Sequence, residues 1–185
     1  MKIFKTIFVT FIFLTCTVKA DLNQNLIKEL KQGGKLIFIR HAYAPGSGDP
    51  KNFNLNDCST QRNLNEGGRE QSKNIGNLFS RHNIKIDKVY SSEWCRCKET
   101  ASIAFEKFET KKFLNSFYSA KFAKNRKNQV KDFLEFINNW DKKENLILVT
   151  HYVFISEILN YAPSSGEIVI TDKNLNIIDT LEIEY

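Results

Sequence analysis

The chain has 185 residues, a length that allows one domain with a substantial core and is too short for two ordinary domains. It carries 27 Lys and Arg residues against 21 Asp and Glu residues, a formal net charge of +6. Three of these lysines lie in the first 20 residues, which contain no acid, so the rest of the chain has 24 basic residues and a net charge of +3. Its basic residues form no stripe with interleaved aromatic residues, and we therefore expect no nucleic-acid partner.

The first 20 residues have the organisation of a secretory signal peptide. Two lysines give a positive start, residues 6–18 are mostly apolar, and small residues favour cleavage after Ala20. An uncleaved membrane anchor is the alternative, but the apolar run is shorter than the roughly 20 residues that a membrane-spanning helix needs. We expect a signal peptide at 1–20, a mature domain at 21–185, a periplasmic or secreted location, and no stable membrane insertion after cleavage.

Apolar periodicity and capping residues predict alternating helices and strands in the mature chain. The predicted elements, in chain order, are a helix at 23–31, a strand at 35–40, helices at 65–80 and 91–108 on either side of a strand at 84–90, a helix at 125–140, a strand at 146–150, a helix through 159, and strands at 167–171 and 177–183. The last two strands form a predicted hairpin. The alternation favours an α/β fold, a three-layer α/β/α sandwich with a mostly parallel central sheet.

Three cysteines follow the predicted signal peptide: Cys58, Cys95 and Cys97. In an oxidising compartment we expect one disulfide and one free thiol. Cys95 and Cys97 are two residues apart and point to different sides of a helix, so Cys58 is expected to pair with one of them. A zinc site at the C-x-C pair is the alternative, but partner ligands are missing nearby, and we expect neither metal nor cofactor.

Polar and charged side chains follow three of the predicted strands: Arg40 and His41, then Ser91 and Ser92 with Arg96 in the next helix, and His151. Ligands of open parallel sheets bind outside the carboxyl ends of the strands, so these residues should meet in one crevice. Two Arg, two His and the helix N-termini favour a doubly charged phosphoryl group. The second Arg-His pair, Arg81-His82, is predicted at the opposite end of the sheet, where it is an ordinary cationic helix end.

Each of these residues alone has an ordinary structural interpretation. A single His after a strand is typical of a structural residue, Ser91 and Ser92 are good helix caps, and Arg96 suits a helix surface. The joint arrangement at three separate strand ends is what favours a functional site.

Three segments resemble the signature segments of the histidine phosphatase superfamily, which has the phosphoglycerate-mutase-like fold: LIFIRHA, VYSSEWCRCKETA and LILVTH. The segment LNEGGREQS also resembles the family's helix after the first loop. The resemblance implies that His41 is the nucleophile and forms a phosphohistidine intermediate. It also implies that Arg40, Arg96 and His151 bind the phosphoryl group during transfer. These roles agree with the chemistry, because nearby guanidinium groups keep an imidazole neutral and Arg binds phosphate oxygens bidentately.

Two residues depart from the family pattern. Ala42 stands where Gly usually follows the first His, and Tyr152 stands where Gly commonly follows the second. Ala42 is a mild change if its φ is negative. Tyr152 is predicted at the mouth of the pocket, as a residue that selects or stacks a substrate.

The carboxylate that many family members use as general acid has no counterpart in FLNSFYSAKFAKNRKNQ. Asp57 is the candidate general acid here, slightly preferred over Glu93 because it lies in the long loop after His41. Ser47 and Arg62 in that loop are predicted substrate-binding residues, with a salt bridge to a nearby acid as the alternative role for Arg62. A weak general acid would favour substrates with good leaving groups, phosphoramidates included.

Together these features predict a metal-independent phosphatase that hydrolyses phosphomonoesters through a phosphohistidine on His41. The expected partner is a small phosphorylated substrate, with sugar phosphates, nucleotides and lipopolysaccharide phosphates all open. A phosphohistidine-protein phosphatase is one alternative, which export disfavours. A non-catalytic phosphate- or phosphosugar-binding module is another, although such a protein would need no nucleophilic His.

Overall fold

The computed structural model describes residues 24–141 and 143–185. The predicted signal peptide at 1–20 lies outside these residues. None of the helices in these residues combines the length and the hydropathy that a membrane-spanning segment requires.

The described residues form a six-stranded mixed sheet. Its strands are β1 (Leu36–Arg40), β2 (Ile86–Ser91), β3 (Glu109–Thr110), β4 (Asn145–Thr150), β5 (Ile168–Thr171) and β6 (Ile177–Leu181), in the spatial order β3-β2-β4-β1-β5-β6. β1 and β2 both pair in parallel with β4, and β3 pairs in parallel with β2. β5 pairs antiparallel with β1 and forms a hairpin with β6. The predicted mostly parallel sheet and its terminal hairpin are confirmed.

Helices cover both faces of this sheet. One face packs against α1 (Gln24–Gln32), α2 (Glu66–Arg81) and α3 (Cys95–Phe105), and the other against α5 (Arg126–Asn138) and α6 (Tyr152–Leu159). Successive residues of a strand point to opposite faces, so a strand covered on both sides is apolar throughout. In β1, Ile37 and Ile39 face the first helical layer, and Leu36 and Phe38 face the second. The three-layer α/β/α architecture is confirmed.

Four short elements were not predicted from the sequence: β3, the helix α4 (Ala120–Ala123) and the 3₁₀ helices Cys58–Thr60 and Lys112–Leu114. Elements of two to four residues are too short to show a period of apolar residues. All four lie in connections between the long elements. β3 adds a two-residue edge strand beside β2, and the other three lie outside the sheet.

Parallel pairing brings the ends of three strands together. Arg40 is in register with Thr150, and Ser91 with Val149. Just beyond the strands, the His41 N–H donates to the Thr150 carbonyl at 2.9 Å. Residues 40–41, 91–92 and 151 therefore lie at one edge of the sheet, whereas residues 81–82 precede the amino end of β2 at the opposite edge.

The start of α2 packs closely on the segment that follows His41. A Cβ added at Gly68 would lie 2.1 Å from the carbonyl oxygen of Tyr43, so this approach requires glycine. Asn65 caps the helix by accepting a hydrogen bond from the Gly68 N–H at 2.9 Å. Gln71, one turn further on, accepts from the Tyr43 N–H at 2.9 Å. The segment LNEGGREQS thus fixes the start of the loop after β1.

Candidate active site

A cavity of about 370 Å³ opens at the carboxyl ends of β1, β2 and β4. Its lining is strongly cationic, with the guanidinium and ammonium groups of Arg40, Lys51, Arg62, Arg96 and Lys121 beside the imidazoles of His41 and His151. Asp49 is the sole carboxylate among the described residues that line it. A pocket of this charge and size suits a phosphoryl group attached to a small organic group.

A second cavity, of about 570 Å³, lies at the amino ends of β2 and β4. Its lining includes the acidic side chains of Asp87, Asp132, Glu135 and Asp141. These carboxylates would repel a phosphate, so the smaller cationic cavity is the candidate active site.

His41 is 2% exposed and follows β1 directly. Its Nδ1 lies 2.9 Å from the carbonyl oxygen of Ala42, and its Nε2 accepts a hydrogen bond from Arg96 Nε at 3.2 Å. Because a carbonyl only accepts and a guanidinium only donates, these two contacts assign the proton to Nδ1 and the lone pair to Nε2. Burial lowers the pKa of His41 well below its usual value, and the positive charge of Arg96 lowers it further. His41 is therefore a neutral imidazole with its Nε2 lone pair directed at a guanidinium.

Ala42 adopts the ordinary backbone conformation expected for a residue with a side chain. Its φ is not among the positive values in the chain, so the replacement of glycine causes no strain. Its N–H donates to Thr100 Oγ1 at 3.0 Å, and Thr100 Oγ1 donates to the Arg96 carbonyl at 2.7 Å. Thr100 thus connects the segment of His41 to the helix of Arg96.

Asp49 holds Arg96, an arrangement that the sequence analysis missed. The Arg96 Nη1 donates to Asp49 Oδ1 at 2.7 Å and Nη2 donates to Oδ2 at 3.3 Å. Trp94 Nε1 and the Arg62 N–H also donate to this carboxylate, each at 3.1 Å. Burial alone would raise the pKa of Asp49, but the hydrogen bonds and charge of Arg96 outweigh burial and lower it. Asp49 is therefore an ionised carboxylate that orients Arg96.

Arg40 reaches the cavity from the end of β1. Its Nη1 donates to the Pro163 carbonyl at 2.8 Å, and its guanidinium carbon lies 5.3 Å from the centre of the Tyr152 ring. Its Nε is buried and has no hydrogen-bond partner among the described residues. A buried donor without a partner is costly, so Arg40 is suited to bind a ligand oxygen.

His151 lies beside His41, with 5.4 Å between the ring centres, and is 2% exposed. Its Nε2 lies 2.9 Å from Ser92 Oγ. Burial lowers the pKa of His151 well below its usual value, and the positive charge of Arg96 acts in the same direction. Both histidines of the cavity are therefore neutral imidazoles.

Ser92 connects His151 to a polar network behind the cavity. Its hydroxyl lies 3.1 Å from Asn115 Oδ1, and Asn115 Nδ2 donates to Glu93 Oε2 at 2.6 Å. The predicted start of the helix at residue 91 is wrong, since Ser91 completes β2 and α3 begins at Cys95. Ser92 contacts His151 and also accepts a hydrogen bond from the Trp94 N–H at 3.3 Å.

The structure does not bring Asp57, the predicted general acid, to the cavity. Asp57 is exposed, and its carboxylate caps the 3₁₀ helix Cys58–Thr60 by accepting hydrogen bonds from the N–H and hydroxyl of Ser59. Glu93, the other candidate, bonds Asn115 and is not part of the lining. The long loop supplies Asp49 to the cavity instead, but Asp49 is ion-paired with Arg96 and carries no proton to donate.

The structure places the three predicted substrate-binding residues, Ser47, Arg62 and Tyr152, on the cavity wall. Arg62 stabilises the loop: its Nε donates to the Gly48 carbonyl at 2.8 Å and its Nη1 donates to the Ala44 carbonyl. Tyr152 is half-buried beside Tyr118, with 5.9 Å between the ring centres.

Cys58 and Cys95 form a disulfide, and Cys97 is a buried free thiol, as the cysteine count predicts. The disulfide connects the loop after His41 to the first residue of α3, next to Arg96. Burial raises the pKa of the Cys97 thiol to about 12. Cys97 Sγ lies 3.5 Å from His151 Nε2 and packs as a small, protonated core residue.

Residues 36–116 match the family model of the histidine phosphatase superfamily, branch 1. Over this segment the chain is similar to the histidine phosphatase superfamily. The match includes Arg40, His41 and Arg96, whereas His151 follows it in the chain and reaches the same cavity through the parallel pairing of β4 with β1. The chain has no significant sequence match among proteins of curated function.

Several solved structures share the fold of this chain. The protein histidine phosphatase SixA complexed with tungstate aligns with a TM-score of 0.57 at 14% identity, over 81% of this chain and 96% of that one. The protein TTHB049 of Thermus thermophilus aligns with a TM-score of 0.59 at 13% identity, over 80% and 99%. A mycobacterial glucosyl-3-phosphoglycerate phosphatase complexed with VO3 aligns with a TM-score of 0.52 at 13% identity, over 74% and 91%.

Proposed function

We propose that this phosphatase hydrolyses small phosphomonoesters without a metal ion, through a phosphohistidine on His41. The observation that carries the proposal is the state of His41, whose Nε2 lone pair lies 3.2 Å from Arg96 Nε in a neutral, buried ring. A nucleophilic imidazole must be neutral, and the atom that attacks must face the group that binds the phosphoryl oxygens. His41 meets both conditions.

The reaction has two displacements at phosphorus. In the first, His41 Nε2 forms a bond to phosphorus as the ester P–O bond breaks, and the electron pair of that bond leaves with the ester oxygen. In the second, water attacks the phosphohistidine, the P–N bond breaks, and inorganic phosphate is released with His41 neutral again. Arg40, Arg96 and the single N–H of the neutral His151 ring stabilise the charge on the phosphoryl oxygens in both steps. In the first step Arg96 exchanges its hydrogen bond with His41 Nε2 for one with a phosphoryl oxygen, and the bond with Nε2 forms again when phosphate leaves.

The test uses purified mature protein and an aryl phosphate in the presence of EDTA. We expect turnover by the wild type, a phosphohistidine at His41 in the acid-quenched or rapidly denatured enzyme, and loss of both in His41→Ala. The matched control is His82→Ala, which changes the histidine of the second Arg-His pair and should leave turnover intact. Activity that survives in His41→Ala would rule out the mechanism. Phosphate binding by a wild type that turns over no substrate would favour the non-catalytic binding module.

A second candidate function is the hydrolysis of phosphohistidine on proteins. The lack of a proton-donating carboxyl among the described residues of the cavity wall favours it, because a phosphoramidate leaves without the strong general acid that an alkyl ester needs. The fold is also similar to that of SixA, a protein histidine phosphatase. Faster dephosphorylation of a phosphohistidine peptide than of every phosphomonoester would establish this candidate over the first.

We further propose that the protein is exported, as the first 20 residues and the disulfide suggest. A disulfide between Cys58 and Cys95 forms and persists in an oxidising compartment. Fractionation of cells that express the full chain, with mass mapping of the amino terminus, tests this location. An intact amino terminus in the cytoplasmic fraction would contradict it.

A further inference from the structure

The cavity continues beyond the phosphoryl-binding residues to a rim that we call the mouth. The mouth consists of four aromatic and two lysine side chains: Lys51, Phe53, Tyr118, Lys121, Phe122 and Tyr152. The mechanism uses none of them. Their chemistry indicates what kind of leaving group the substrate has.

Aromatic rings at the mouth are arranged as pairs. Tyr118 is 55% exposed although its ring centre lies only 5.9 Å from that of Tyr152. Phe53 stacks on Trp94 with 5.1 Å between ring centres and contacts Phe122 at 5.7 Å. A large aromatic side chain left in water at the rim of a cleft gains most from a ligand that covers it, and a flat ring does so best. The mouth therefore suits an aromatic group.

The two lysines at the mouth have no carboxylate partner among the described residues, although Lys121 Nζ lies 5.4 Å from the centre of the Phe122 ring. Lys51 and Lys121 are exposed, and neither forms an ion pair with a carboxylate among the described residues. The sole carboxylate on the described wall, Asp49, is bound to Arg96. Because Arg40 and Arg96 bind the phosphoryl group deeper in the cavity, the lysines remain for a second anionic group.

The leaving group must depart without help from a carboxylic acid. Asp49 is ion-paired, Asp57 lies elsewhere, and Glu93 is bound to Asn115. Without a general acid the rate depends on how stable the leaving oxygen is as an anion. A phenolate satisfies this requirement, whereas the alkoxide of a sugar or nucleoside does not.

From these three observations we propose the substrate class of this site: an aryl phosphomonoester that carries a second anionic group on or near its ring. The inference rests on the proposed function and narrows it. His41 Nε2 bonds to phosphorus, the aryl P–O bond breaks, and the phenolate leaves with the electron pair and takes a proton from water. Water then releases phosphate from His41. The ring lies among the mouth aromatics and its anionic group is bound by Lys51 and Lys121.

Three substrates with matched structures test this proposal. N-acetylphosphotyrosine and its amide share one phenol leaving group and differ in a carboxylate, whereas N-acetylphosphoserine keeps the carboxylate and has an alkyl leaving group. We expect kcat/KM for the first to exceed that for the phosphoserine by about 100-fold or more, the range that a general acid would otherwise supply. We expect kcat/KM for the amide to be about three- to fivefold lower than for the acid, because one exposed ion pair contributes that much.

Lys121→Met identifies the anion-binding residue. It should reduce the preference for the acid over the amide by raising KM for the acid. Lys124→Met, at a lysine outside the cavity lining, is the matched control and should keep the preference. Tyr118→Leu should lower kcat/KM for both aryl substrates by about the same factor. It should leave inhibition by inorganic phosphate unchanged.

The outcomes distinguish a failure of the proposed substrate class from a failure of the proposed phosphatase mechanism. Equal turnover of the phosphoserine and the phosphotyrosine, or equal turnover of the acid and the amide, overturns the substrate class and leaves the phosphatase mechanism standing. A preference for a nucleoside monophosphate over N-acetylphosphotyrosine also overturns the substrate class. Failure to turn over any of these substrates overturns both proposals.

Discussion

At the scale of single residues, the ion pair of Asp49 with Arg96 is the feature that sets the geometry of the site. Arg96 is 3% exposed and bonds both the carboxylate of Asp49 and Nε2 of His41. A buried guanidinium with two such partners has one orientation, so Arg96 is ready to meet phosphoryl oxygens without rearrangement of the loop. Asp49 is a positioning residue in this account, since it acts on the substrate through Arg96.

We predict that Asp49→Asn lowers kcat/KM by about 10- to 100-fold, the value of a hydrogen bond to a charged group. The amide keeps the shape of the carboxylate but removes the charge that holds both terminal nitrogens of Arg96. The measurement is a double-mutant cycle with Arg96→Lys, because Lys cannot make the two-pronged contact.

In that cycle, Asp49→Asn should cost little activity once Arg96→Lys is present, and Asp49→Glu should recover part of the loss. Additive effects of the two substitutions would show that Asp49 acts independently of Arg96. Urea denaturation of each variant separates a loss of folding from a loss of positioning.

At the scale of elements, two parts of the chain converge on Arg96: the loop after β1 and the start of α3. The loop has little regular structure between His41 and Arg62, and it is held by Arg62 bonds to two loop carbonyls and by the disulfide from Cys58 to Cys95. Because Cys95 is adjacent to Arg96, the disulfide joins the loop that carries Asp49 to the helix that carries its partner.

We predict that reduction of the disulfide, or Cys58→Ser, lowers the free energy of unfolding by about 3–4 kcal/mol. The separation of 37 residues between the two cysteines sets this value through the entropy of the unfolded chain. Urea denaturation with and without dithiothreitol measures it. Dithiothreitol should have no further effect on Cys58→Ser, and an unchanged midpoint for the reduced wild type would contradict the prediction.

The elements also show why the sequence predicted the strands correctly but did not indicate the carboxylate, Asp49, that lies in the cavity. β1 and β4 are apolar runs that end in Arg40-His41 and Thr150-His151, so pattern alone places both histidines at one sheet edge. The contact of Asp49 with Arg96 links residues 47 positions apart through a loop without a period, and no local pattern indicates it. The available sequence signal for this contact was the G-D-P segment after LIFIRHA. A carboxylate in a loop over a cationic pocket is a natural partner for the arginines of that pocket.

At the scale of the whole molecule, the fold retains two uncharged histidines beneath a cluster of arginines. His41 and His151 are both 2% exposed, and burial and the nearby guanidinium groups lower the pKa of each well below its usual value. Folding therefore has a cost at acidic pH that ordinary surface histidines do not impose. The same feature that keeps the nucleophile active makes the protein sensitive to acid.

The direction of this pH dependence follows from how many protons the folded and unfolded states bind. In the unfolded chain both histidines bind protons as the pH falls through about 6.5, whereas in the folded protein both stay neutral to a lower pH. The unfolded state then holds more protons, so the free energy of unfolding falls as the pH is lowered below about 6.5. We predict a decrease of about 2.7 kcal/mol per pH unit from the two histidines together, over the range below their unfolded pKa and above their folded pKa.

Urea denaturation at pH 7.5, 6.5 and 5.5 measures this slope. His151→Gln removes one of the two buried imidazoles and should reduce the slope by about half. A wild-type slope that stays flat between pH 6.5 and 5.5 would mean that the two histidines are protonated in the folded protein, and the neutral nucleophile on which the mechanism depends would have to be abandoned.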